Sequence, residues 1–175
     1  MSSQPIHPRV GHNTYIAPTA YVGGEVVLGD DCTVMHHVVI RGDVSAITIG
    51  HRVNVQDGTV IHTRRGVPLN IGDDVSIGHR AVVHCRRVGR GTLIGSGAIV
   101  LDDAEIGDHC VVAAGAVVTP GAVVPDGKVV LGIPARVARD VGDEDRRYMQ
   151  RVCNAYVQLG REHAAGRYPP WPGAQ

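Results

Sequence analysis

The stretch VGRGTLIGSGAIVLDDAEIGDHCVVAAGAVVTPGAVVPDGKVV, residues 88–130, decides the fold. An aliphatic residue returns every six positions through it, at Val88, Ile94, Val100, Ile106, Val112, Val118, Val124 and Val130. Four residues after most of these comes a small one, at Thr92, Ala98, Ala104, Cys110, Ala116 and Ala122. Between the two positions stand pairs that tolerate a left-handed backbone, such as Arg90-Gly91, Ser96-Gly97, Ala114-Gly115, Pro120-Gly121 and Asp126-Gly127. Such pairs mark corners. Short strands with a sharp corner every six residues, and only slim side chains pointing inward, describe a β-solenoid of triangular section.

Working upstream, the same register runs through Ile16, Val22, Leu28, Val34 and Ile40. Three extra residues precede Ile49, Val55 and Ile61, and four more, within Thr63 to Asn70, precede Ile71, Ile77 and Val83. Cys32 and Cys110 fall on the small inward position and are expected to fill the core. Downstream the period stops after Pro134. Asp143 to Ala164 then reads as a helix, with acidic residues in its first turn and Tyr148, Val152, Tyr156 and Leu159 on one face. The expected organisation is a solenoid over 1–139, a helix packed along it over 140–166, and a Pro-rich tail over 167–175.

Composition agrees with a narrow, regular core. The 175 residues are 43% hydrophobic, with 23 Gly and no Phe, and 17 basic residues balance 17 acidic ones. Neutral charge and scarce aromatics speak against a nucleic-acid groove or a polybasic membrane surface. No apolar run reaches the length of a membrane span, and MSSQPIHPRV lacks an apolar signal core. Four scattered cysteines without a CxxC pair suit reduced thiols, so a cytoplasmic location is expected.

Counting three repeats per coil aligns 28, 34, 40 with 49, 55, 61, with 71, 77, 83 and with 88, 94, 100. His62 follows Ile61 and His84 follows Val83, so both take the same place in one column on adjacent coils, about 4.8 Å apart. Two imidazoles so placed can reach one metal. Arg41 is the same position one coil earlier. His79 belongs to the next column, with Asp57 and His36 at equivalent places before it. Five extended residues separate His79 from His84, roughly 16 Å at about 3.3 Å each before the corner shortens it. One chain does not close all three onto a metal with bonds of about 2.0–2.1 Å. A threefold assembly brings the His79 column of one subunit against the His62 and His84 column of its neighbour. The spacing thus predicts a metal site at a homotrimer interface.

The segments IRGDVSAITIGHRVNVQDGTVIH and IGDDVSIGHRAVVH resemble the γ-class carbonic anhydrases and their hexapeptide-repeat relatives. Arg41-Gly42-Asp43, Asn54-x-Gln56-Asp57-Gly58, His62, and His79 with His84 five residues on carry the likeness. It implies an all-β fold, a left-handed parallel β-helix with a C-terminal α-helix. It also implies three histidines, here His62, His79 and His84, binding zinc (or iron or cobalt) between subunits of a homotrimer. Metal-bound hydroxide would attack carbon dioxide to give bicarbonate, which makes the expected activity that of a carbonate dehydratase. By the same match Gln56 would orient the hydroxide, and Arg41, Asp43 and Asp57 would form an ion-pair network around the site. A small-molecule substrate, with neither nucleic acid nor membrane as partner, follows.

Two departures stand out. In the prototype of the family one glutamate lies just after the RGD-like segment and another in an acidic loop after the first metal histidine, both serving proton transfer. Val44 stands at the first place here, and the segment TRRGVPL, Thr63 to Leu69, has no carboxylate. Two other functions fit the same solenoid: an acyl-CoA acyltransferase or thioesterase, and a non-catalytic, metal-stabilised trimeric scaffold. Three histidines at ligand spacing and the shortness of the insertions favour the anhydrase.

Overall fold

A computed structural model describes residues 4–172. Short strands, most of them two residues long, stack in parallel with the aliphatic positions in register. One ladder runs Ile16, Val34, Val55, Ile77, Ile94, Val112, Val130. A second runs Val22, Ile40, Ile61, Val83, Val100, Val118, and a third Leu28, Ile49, Ile71, Val88, Ile106, Val124. The columns counted from the sequence are these three ladders. The eight-stranded sheet gives seven parallel rungs, its eighth strand, Arg136–Asp140, pairing antiparallel with Lys128–Leu131. The chain is a parallel β-helix of about seven turns.

The inward positions form one continuous core. Ile40, Ile61, Ile77, Ile94 and Ile106 are fully buried, as are the small residues Ala81, Ala98, Ala104 and Cys110. All four cysteines are free and buried, which suits slim, unreactive filler. Each corner pair named above places its second residue at positive φ, including Gly91, Gly97, Gly115, Gly121 and Gly127. Arg52, Arg80 and His109 also turn corners at positive φ, which their side chains do not advertise in the sequence.

The extra residues are accommodated locally. Tyr21–Leu28 and Val39–Ile49 are long strands whose pairing slips between Gly24 and Val26. Gly24 has φ +83° and lies so close to the next coil that a Cβ there would stand 2.3 Å from the Gly42 carbonyl oxygen. The insertion after His62 folds into a tight turn, in which Thr63 Oγ1 donates to the Val67 carbonyl at 2.7 Å. Arg64 ties this turn to the solenoid by donating to both oxygens of Asp103, at 3.0 and 2.8 Å.

Helix α1 spans Asp143–Ala164 and packs along the rungs at Tyr15–Ile16, Thr33–Val34, Asn54–Val55 and Ser76–Ile77. Its buried face differs from the expected one. Met149, Cys153, Val157 and Gly160 face the solenoid, Val152, Tyr156 and Leu159 flank that stripe, and Tyr148 is exposed. The reason is closeness of approach, which selects small residues over large ones. A Cβ on Gly160 would lie 2.4 Å from Thr33 Oγ1, and that hydroxyl donates to the Tyr156 carbonyl at 2.8 Å. Beyond the helix, Tyr168 donates to Glu162 at 2.7 Å, so the start of the tail makes a local contact; residues 173–175 of the tail lie outside the described residues. No helix is long and apolar enough to cross a membrane among the described residues.

Candidate metal centre

His62 and His84 follow Ile61 and Val83, and the register that pairs these two aliphatics stacks the imidazoles on the outer surface of one column. Their ring centres are 5.2 Å apart, and His62 Nδ1 stands 3.2 Å from His84 Nε2. The outer nitrogen of each ring meets a carboxylate. His62 Nε2 lies 3.1 Å from Asp43 Oδ1, and His84 Nδ1 lies 2.5 Å from Asp102 Oδ1. Arg41 donates to the other oxygen of Asp43 at 2.5 Å. The result is a line along the solenoid axis: Arg41, Asp43, His62, His84, Asp102.

Ionised carboxylates only accept hydrogen bonds, so in neutral imidazoles the single proton goes to the outer nitrogen. Two inner lone pairs then face each other across 3.2 Å, an arrangement that a cation between or beside them relieves. Two nitrogens bound at about 2.0–2.1 Å with a tetrahedral angle stand about 3.3 Å apart, so the donor set fits a divalent metal. Both rings are partly buried, with 17% and 26% of their side chains exposed. Arg41 is the main cause that holds the Asp43 carboxyl below its ordinary range, and His62 adds to it.

His79 lies elsewhere on the same chain. It sits two residues after Ile77, in the neighbouring ladder, where its Nδ1 pairs with Asp57 Oδ2 at 3.1 Å. Among the described residues no three His, Cys, Asp or Glu side chains of one chain converge on a metal position. The ion-pair network expected of Arg41, Asp43 and Asp57 is therefore split within one chain. Arg41 and Asp43 belong to the His62 column, while Asp57 belongs to the His79 column. Gln56 is also apart from the His62–His84 pair. It is buried, donates through Nε2 to Asn54 Oδ1 at 3.0 Å, and lines a shallow cavity with Gly78, Gly95 and Tyr148. Cys85, next to His84, turns into the core, where burial pushes its thiol up to about 12.

Asp102 was not singled out by the sequence. It stands two residues after Val100, one coil beyond His84; the position that continues the histidine column is Leu101, so counting repeats does not single out Asp102. His36 bonds through Nδ1 to Thr19 Oγ1 at 2.9 Å, and His163 of α1 stacks on Tyr15 with ring centres 5.2 Å apart. Both histidines have local structural contacts.

The chain matches the bacterial transferase hexapeptide family of six repeats over residues 7–42 and 87–120. It is 47% identical over 150 residues to the "Probable carbonic anhydrase" of Methanocaldococcus jannaschii, covering 86% of this chain and 94% of that one. It is 39% identical over 158 residues to the "Carbonic anhydrase" of Geobacillus kaustophilus, covering 90% and 87%. The chain belongs to the γ-class carbonic anhydrase-like hexapeptide-repeat family. A solved structure from Bacillus cereus, carried under the provisional name of an acetyltransferase, superposes with a TM-score of 0.87 at 38% identity. The overlap takes in 90% of this chain and 92% of that one. Residues 43–86, between the two matched segments, hold all the site residues expected from the resemblance except Arg41.

Proposed function

We propose that this protein hydrates carbon dioxide to bicarbonate with a divalent metal, zinc or alternatively iron or cobalt. His62 and His84 of one protomer and His79 of a neighbour in a homotrimer would hold it. The observation that carries the reading is the His62–His84 pair, whose inner nitrogens stand 3.2 Å apart with a carboxylate behind each ring. When bound by three neutral histidines with a fourth position open, such a cation lowers the pKa of water towards about 7, as is familiar from carbonic anhydrases themselves.

The chain's own residues then have distinct tasks. Asp43, shared with Arg41, keeps His62 turned with Nδ1 inward. Asp57 does the corresponding work for His79 on the column that a neighbour would meet. Gln56, by its motif, orients the attacking water, and its burial gives its amide a fixed direction. Val44 and the carboxylate-free turn Thr63 to Leu69 offer no carboxylate base to take up the proton. Proton release therefore goes to buffer, and the rate should depend on buffer concentration.

The Bacillus cereus neighbour favours a second reading, an acyl-CoA-dependent transferase. Metal per chain, measured on protein purified without a chelating tag, together with stopped-flow hydration of carbon dioxide, separates the two. About one metal per chain and hydration that His84→Ala abolishes are expected. Metal bound without hydration above buffer would sink the anhydrase reading, and turnover of acetyl-CoA would then favour the transferase.

A further inference from the structure

We propose that Asp102 is a positioning residue that selects the metal-binding nitrogen of His84 and sets the site's affinity, an inference that rests on the three-histidine reading above. Asp102 Oδ1 is 2.5 Å from His84 Nδ1, and the opposite nitrogen, Nε2, is the one that faces His62. A carboxylate in this place fixes the proton on Nδ1 and leaves Nε2 as the donor.

The fold holds Asp102 in position. Its carbonyl accepts the Gly121 amide at 2.8 Å from the next coil, and the following residue, Asp103, turns the corner with φ +59°. Asp103 also takes up the nearby cation, since Arg64 donates to both of its oxygens. Among the described residues Asp102 has His84 as its one ion-pair partner. Asp43 is the contrast, because Arg41 already neutralises it while it meets His62. The full negative charge of Asp102 therefore acts on its histidine, and that of Asp43 is divided. Asp102 is also the nearer of the two carboxylates to its imidazole, 2.5 Å against 3.1 Å, and should matter more.

The test is a competition titration of metal-free protein with zinc against a chromophoric chelator, for wild type, Asp102→Asn, Asp102→Glu, Asp43→Asn and His84→Ala. Asp102→Asn is expected to raise the zinc dissociation constant about 10–100-fold. Asp102→Glu should recover most of that loss, and Asp43→Asn should lose less than Asp102→Asn. A purely structural role would instead lower the melting temperature of the metal-free protein and leave the dissociation constant in place. An Asp102→Asn constant within about twofold of wild type, while His84→Ala loses zinc, would overturn the role of Asp102 and leave the histidine reading standing. Zinc affinity that His84→Ala does not change would overturn both.

Discussion

Residues 88–130 and residues 40–87 are made from the same six-residue unit, yet the residues of the candidate site come almost entirely from the second stretch, with Asp102 the exception. The later coils keep the period without a break, and their outward positions hold residues such as Leu101, Ala113 and Thr119. The earlier coils are interrupted by two insertions and the loss of one residue before Val88, and their outward positions hold Arg41, Gln56, Asp57, His62, His79 and His84. The general repeat pattern matches 7–42 and 87–120 and passes over most of the interrupted part. The inward residues do not differ in kind: Ile61 and Ile106 are equally buried. One core therefore supports both regions, and function lies in which outward positions the stacking brings together.

That division can be broken by experiment. Ile106→Ala in the uninterrupted coils removes a fully buried side chain and should cost about 2–5 kcal/mol in denaturant unfolding. Metal per folded chain should stay at the wild-type value, since Ile106 lies in a different ladder from His84 and Asp102; a lost metal would show that the core of the regular coils shapes the site as well. Arg64→Ala tests the inserted turn. The ion pair with Asp103 has side chains 50% and 36% exposed, so the expected loss is under about 1 kcal/mol, with hydration unchanged. A large fall in hydration would instead place this basic turn in the reaction.

The smallest effect belongs to the start of α1, where Arg139 on the last strand meets Asp145. Arg139, with the Gly142 amide, holds the Asp145 carboxyl down to about 2, against about 3.9 in an unfolded chain. Between these values the folded state binds fewer protons, so this stabilisation is complete above about pH 4 and is lost as pH falls towards about 2. Asp145→Asn should flatten that part of the acid-unfolding curve, and added salt should shrink the difference. An unchanged curve would remove this ion pair from the account of how the helix is anchored.

Much of this was legible in the sequence because a solenoid is nearly one-dimensional. Once Ile61 and Val83 are assigned to one column, the meeting of His62 and His84 follows from counting. The buried face of α1 was not legible by the same means. Periodicity favours the apolar residues Tyr148 and Val152, whereas the surface of the solenoid admits Gly160 at Thr33 and Cys153 at the Arg52 carbonyl. Corners at Arg52, Arg80 and His109 are not legible in the sequence, because stacking imposes their left-handed backbone and the residue type does not. Asp102 is not legible by counting, because the position that continues the His62–His84 column is Leu101 and Asp102 stands one residue further on.

The central claim is that His62 and His84 act with His79 of a different subunit. Mixing His79→Ala and His84→Ala chains under conditions that let subunits exchange tests it most directly. Each variant alone should lack the metal and the hydration activity. In an equal mixture, roughly a quarter of the interfaces regain a complete set if the three histidines come from two chains around a threefold axis. Metal and activity should return to about that fraction. A mixture as inactive as either variant, with subunit exchange demonstrated, would contradict the claim.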